Sequence, residues 1–303
     1  MNYLVQISNR KDRELLPILQ AENVNYIYSA GTPFKHAAVK DVSFSVEKGE
    51  ITGIIGHTGS GKSTLLQLLN GLLRPTDGKI IFDGRDIWES PKEIGKIRFK
   101  IGLVFQYPEY QLFEETVSED IAYGPKNMKL SDDEIAQRVK AAANTVKLKE
   151  ELLNKSPFDL SGGEKRRVAI AGIMAMKPDI IVFDEPTAGL DPIGRETVIK
   201  AINDYREQNN ATIIIVSHSM EDMALLCDKI IVLNDGNLIM HGTVKEVFKH
   251  SSKLREIGLN VPVVTSVLLS LRDKGYDVPT DIYTVDSAVD ILYGILKRGA
   301  AND

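Results

Sequence analysis

The eight residues Gly56-His57-Thr58-Gly59-Ser60-Gly61-Lys62-Ser63 have the spacing G-x-x-x-x-G-K-S, in which each residue type answers one need of a bound polyphosphate. Glycines let successive backbone N–H groups turn into one concavity, and the start of a helix adds positive potential. Lys62 is placed to reach the terminal phosphates, Ser63 to give its hydroxyl to Mg²⁺, and Thr64 to follow them at the helix start. His57 and Thr58 fill free positions of the pattern and carry no expected role. A second group closes an apolar run, where Ile180-Ile181-Val182-Phe183 gives way to Asp184-Glu185. Two acids at the end of a buried strand are costly unless a cation meets them. Asp184 is expected to hold the Mg²⁺ through water, and Glu185 to polarise a water for attack in line with the terminal phosphate.

A third group offers anion binding elsewhere. Ser161-Gly162-Gly163 open a predicted helix rich in Arg and Lys, so free N–H groups, a hydroxyl and a positive helix end are presented together. One phosphate cradle already exists in the chain, and a second such end implies a second binding surface. Glu164, as the third helical residue, is expected to complete a capping box with Ser161.

Periodicity shows which elements must hold these groups. Val24, Tyr26 and Tyr28, then Val42, Phe44 and Val46, alternate with polar neighbours and predict an antiparallel β layer between about residues 21 and 46. The runs Ile51–Ile55, Ile180–Phe183, Thr212–Val216 and Lys229–Leu233 are short, rich in Ile and Val, and mostly separated by helical stretches. That pattern predicts an α/β fold with a parallel sheet covered on both faces. Between the first two runs lies a helical insertion, with Ser131-Asp132-Asp133-Glu134 as a capping box ahead of Ile135, Val139 and Ala142. After His250 two amphipathic helices are expected: one opened by Pro262, carrying Val264, Val267, Leu268 and Leu271 and ended by Gly275, the other capped by Asp286. The predicted division is an N-terminal extension over residues 1–19, a catalytic domain over 20–250 with a helical subdomain over about 107–176, and a C-terminal helical appendage over 251–303.

Bulk properties narrow the roles. A chain of 303 residues, 43% hydrophobic and 26% charged, can bury a substantial core, and its net charge of −5 argues against nucleic acid as a partner. The one cysteine, Cys227, excludes an internal disulfide and reads as core filler. Residues 1–20 interleave charges with short apolar stretches, unlike a secretory signal, and no window reaches the ~18 apolar residues that span a bilayer. Any membrane role must therefore be borrowed from another polypeptide.

The order of these motifs resembles the ATPases of ABC transporters, over about residues 20–250. Leu160-Ser161-Gly162-Gly163-Glu164 looks like the family's signature sequence, with Glu164 in place of the commoner Gln. Gln106, after the strand-like Gly102–Phe105, resembles the Q-loop glutamine. Ala188-Gly189-Leu190-Asp191 is similar to the D-loop, and His218 to the switch histidine. Tyr28 resembles the aromatic that stacks on adenine; Tyr26 is the alternative, read as facing the other side of the same strand. The resemblance implies a P-loop NTPase core, ATP and Mg²⁺ as cofactors, and Glu185, His218 and Gln106 as catalytic residues. It implies Mg²⁺ ligation by Ser63, Gln106 and Asp184. Tyr28, Gly56, Gly59, Ser60, Gly61, Lys62, Ser63 and Thr64 are then expected to hold the nucleotide in cis. Ser161, Gly162, Gly163, Glu164 and Asp191 are expected to reach ATP held by a head-to-tail partner.

Within that family, Gln106-Tyr107-Pro108-Glu109-Tyr110-Gln111-Leu112-Phe113 resembles a stretch of energy-coupling factor transporters, as do Lys165–Gly172 and Ile257–Pro262. This implies a subunit peripheral to the cytoplasmic face of the cell membrane, powering uptake of a vitamin or transition-metal ion. The implied partners are a second ATPase subunit, copy or paralogue, a transmembrane coupling subunit and a substrate-binding membrane subunit. An importer fed by a periplasmic binding protein is the other reading. Gln106–Phe113 is expected to grip the coupling subunit, with aromatic anchors and with Glu109 meeting a basic residue on an incoming helix, the alternative being that its rings pack under the helical insertion. The appendage is expected either to stabilise this chain alone or, as the resemblance implies, to clamp the dimer.

Overall fold

The computed structural model describes residues 17–299. In chain order the elements are β1 (Leu19–Tyr28), β2 (His36–Val46), β3 (Ile51–Ile55), α1 (Lys62–Leu69), β4 (Asp77–Phe82), β5 (Arg85–Asp86), α2 (Ile94–Lys100) and β6 (Ile101–Val104). Next come α3 (Val117–Asn127), α4 (Asp132–Thr145), α5 (Gly162–Ala175), β7 (Ile180–Asp184), α6 (Pro192–Asn209), β8 (Thr212–Val216), α7 (Met220–Leu226), β9 (Lys229–Asn234) and β10 (Asn237–Thr243). The chain ends with α8 (Val244–Lys249), α9 (Ser251–Glu256), α10 (Val263–Asp273) and α11 (Val285–Gly299).

Two sheets form. The larger has the order β10-β9-β3-β8-β7-β6, parallel throughout except for the antiparallel β10. Its inner strands read as largely apolar runs because both faces are covered: Ile181 and Phe183 of β7 enter one core, Ile180 and Val182 the other. The first core packs helices α3 to α7 on the sheet, and the second joins the sheet to α1 and to the smaller, antiparallel sheet β2-β1-β4-β5. Cys227 belongs to the first core, beside Gly53, where a Cβ would stand 2.8 Å from its sulfur. Burial pushes its thiol well up from the usual range, which fits a residue that fills space against the core.

Some local expectations need correction. At α4, Ser131 accepts the Glu134 N–H, but the Glu134 carboxylate turns to Arg138 (2.7 Å) and the box is only half built. Pro262 and Gly275 bracket α10 as expected, with Gly275 at φ +92°. α11 starts at Val285, so Asp286 falls inside it and cannot be its cap; the Asp286 side chain lies outside the described residues. Of the N-terminal extension, residues 1–16 likewise lie outside them. β4, β5 and β10 have no counterpart in the sequence-based expectation.

Candidate functional site

The turn between β3 and α1 depends on glycine. Gly61, the N-cap of α1, sits at φ +98°, and a Cβ there would lie 2.2 Å from the Ala38 carbonyl oxygen. An L side chain is excluded on both counts. The Asp235-Gly236 turn between β9 and β10 closes on the same loop, with the Gly236 N–H donating to the Ser60 carbonyl (3.1 Å). Lys62, only 7% exposed, folds back so that its Nζ donates to the carbonyls of Gly56 (2.7 Å) and His57 (2.9 Å). Burial pulls its ammonium below the usual lysine range, and Glu185 and Asp184 offset part of that shift.

β7 delivers its acids to the same place. Ser63 Oγ donates to Asp184 Oδ2 (2.9 Å). Burial pushes the Asp184 carboxyl up, against the Ser63 hydrogen bond and the charges of Lys62 and His218. Glu185 leaves the strand at φ +52°, a left-handed conformation that is strained for a non-glycine residue and turns its carboxylate toward His218. Its Oε1 lies 2.8 Å from His218 Nε2.

One cavity of about 340 Å³ gathers Tyr28, Gly59, Gly61, Lys62, Ser63, Thr64, Gln106, Asp184, Glu185 and His218. Thr58, given no role from the sequence, also lines it, and two further walls, His36 and Ala38 of β2, were missed. Neither belongs to a spaced motif, although Asp-Gly at 235–236 is a hairpin signal that foretells the turn beside Ala38. Tyr28 reaches Thr64 (O···O 3.2 Å) and stands edge-on to Tyr26, with ring centroids 4.8 Å apart. The two tyrosines therefore share a side of β1, as residues two apart do in a strand, and the expectation of opposite faces is corrected. Tyr26 packs against the second core and is absent from the cavity wall.

The donor set suits Mg²⁺. Among the described residues no cluster of His, Cys, Asp or Glu could hold a metal by itself. A hydroxyl, a carboxylate and an amide in one cavity match an ion that keeps waters and takes its other oxygens from phosphates.

The signature residues stand apart. Ser161 caps α5, and the box is complete: Glu164 Oε2 accepts from Ser161 N (3.0 Å) and Oγ (2.7 Å), and Ser161 Oγ accepts the Glu164 N–H (3.4 Å). Hydrogen bonds from Ser161 hold the Glu164 carboxyl below its usual range. Ser161 and Gly162 are exposed, and none of Ser161, Gly162, Gly163, Glu164 or Asp191 lines the cavity. Asp191 Oδ1 caps α6 by accepting the Gly194 N–H (2.6 Å).

In the segment after Gln106, Tyr110 is 85% exposed, Tyr107 and Phe113 are exposed, and Leu112 packs against the first core. Glu109 is not free to meet a partner. Its carboxylate is largely buried and paired with Arg166 of α5 at 2.7 Å.

The family model described as ABC transporter matches residues 39–188. Among solved structures, the chain is similar to cbiO1 of Clostridium perfringens, part of the ABC transporter complex cbiONQ (TM-score 0.70, 42% identity, covering 80% of this chain and 94% of that one). It is also similar to the dimeric post-hydrolysis state of the ATP-binding cassette MJ0796 bound to ADP and Pi (TM-score 0.67, 31% identity, covering 75% and 98%). The fold is that of an ABC-type ATPase, a P-loop NTPase. Curated relatives are more specific. The energy-coupling factor transporter ATP-binding protein EcfA2 of Caldanaerobacter subterraneus is 51% identical over 94% of this chain and 99% of its own length; the protein of the same name from Clostridium perfringens is 50% identical over 92% and 99%. This chain belongs to the family of energy-coupling factor transporter ATP-binding proteins.

Proposed function

We propose that this chain hydrolyses ATP in a site shared with a second ATPase chain, and that the closure so driven powers uptake of a vitamin or transition-metal ion through membrane partners. The reading rests on one observation. The groups that can cradle phosphates and activate water converge in one cavity, while the exposed helix end that can meet another phosphate is not part of its wall.

In this reading, backbone N–H groups of Gly59 to Ser63 and the Lys62 ammonium bind the β- and γ-phosphates, and Tyr28 stacks on adenine. Ser63, Gln106 and Asp184 would hold Mg²⁺, which would supply charge neutralisation at the phosphates. Glu185 accepts the proton of the attacking water, and His218, at hydrogen-bond distance from Glu185, orients that carboxylate. Ser161, Gly162 and Gly163 bind the γ-phosphate of the partner's ATP.

No helix among the described residues is long and apolar enough to cross a membrane, so force passes through a docking surface. The exposed Phe113 lines a groove of about 410 Å³ with Leu103, Leu112, Tyr123 and Ile173, the exposed Tyr110 stands three residues before it in the chain, and this is where the coupling subunit docks in our reading. The chain then sits on the cytoplasmic face of the membrane. The exposed Val263 and Val267 of α10 support the clamp role of the appendage over a purely internal one.

Replacing Glu185 tests the assignment. Glu185→Gln keeps shape and ATP binding but accepts no proton, so turnover of the assembled transporter falls by ~10²–10⁴. A variant that hydrolyses ATP near the parental rate removes Glu185 from the role.

A further inference from the structure

Arg166 is 2% exposed, lies in the second turn of α5, and belongs to none of the nucleotide-contacting groups above. Its donors are divided among distant segments. Nε and Nη2 donate to Glu109 Oε2 (3.0 Å) and Oε1 (2.7 Å), a bidentate pair. Nη1 donates to the carbonyls of Pro186 (3.4 Å) and Ala188. The guanidinium carbon also stands 5.7 Å from the centroid of the Tyr107 ring. Burial pushes the Glu109 carboxyl up, yet the Arg166 hydrogen bonds and charge hold it below the usual carboxylate range, so the pair is ionic.

One buried cation therefore joins three segments, each next to a group that handles ATP. Glu109 follows Gln106, Pro186 and Ala188 follow Glu185, and Arg166 shares the helix that Ser161 caps. A tie needed only for stability would be served at least as well by apolar side chains, because burying both charges is costly. A guanidinium adds fixed directions, with several donors aimed at once from one rigid plane.

We infer that Arg166 is a positioning residue that holds the Glu185 loop and the Gln106 turn in register with the signature helix. The chain's own water-activating carboxylate and the surface it offers to the partner's ATP then move as one unit. This deepens the shared-site reading above and rests on it.

Arg166→Lys in the assembled transporter tests the inference. Lysine keeps the charge and a single contact to Glu109, and cannot reach both carbonyls as well. The expected result is a kcat for ATP lowered about 10- to 100-fold, the scale of an ångström of misplacement, with KM within about twofold. A second comparison separates positioning from folding. Arg166→Met alone strands the Glu109 charge and lowers Tm, whereas Arg166→Met with Glu109→Gln removes both charges and restores Tm. Positioning predicts that turnover stays low in the double variant. Parental kcat in Arg166→Lys, or turnover that returns together with Tm, overturns the inference. Glu185→Gln run alongside tells the two readings apart: if it too turns over normally, the shared-site chemistry itself has failed.

Discussion

Tyr28 and Tyr26 touch each other yet do different work, because Tyr28 borders the cavity and Tyr26 packs on the second core. Tyr28→Ala is expected to weaken ATP binding by roughly 10- to 100-fold, the ~1–3 kcal/mol of a stacked base, with little change in Tm. Tyr26→Ala should do the reverse, lowering Tm while a nucleotide titration of the folded protein changes little. Equal loss of affinity in both variants would return the adenine contact to an open choice. Groups in a fixed spacing, such as Gly56 to Ser63 or Asp184-Glu185, were legible in the sequence because each local pattern performs one task. Arg166 was not, since an arginine in a basic stretch reads as a solvated face until Glu109, far away in sequence, is folded against it. For the same reason Glu109 was read as an outward anchor.

At the scale of elements, α5 carries the full capping box that α4 half lacks. Glu164→Ala removes the carboxylate that accepts from Ser161 N and Oγ, and is expected to cost about 1 kcal/mol, a Tm loss of ~2–4 °C. Glu164→Gln keeps an acceptor and should lose less; a larger Tm loss in Glu164→Gln than in Glu164→Ala would contradict the capping role. The segment after Gln106 makes a separate prediction. Tyr110→Ala with Phe113→Ala should leave ATP binding unchanged and abolish co-purification with the membrane coupling subunit; intact co-purification would sink the docking surface. Inner strands were legible because both of their faces are buried and nearly every residue is apolar, Thr52, Asp184 and Thr212 excepted. β4 was not, since Asp77-Gly78-Lys79 breaks the alternation before Ile80. The start of α11 was misjudged because Asp286 suits a cap by type, while the helix already begins at Val285.

At the scale of the whole molecule, we propose that the phosphate cradle and the signature helix end of one chain serve different ATP molecules. Ser161 does not line the cavity that holds Lys62, and in our reading a second chain supplies it there. Single-turnover hydrolysis by mixed dimers measures this directly. With Lys62→Ala in one ATPase chain and Ser161→Ala, or its counterpart in a paralogue, in the other, both lesions fall in the same composite site and the second site is whole. With both substitutions in one chain and a parental partner, each site carries one lesion. The account predicts one round of hydrolysis at close to half the parental amplitude in the first dimer and almost none in the second. Equal amplitude in the two dimers, or more in the second, would contradict the shared site.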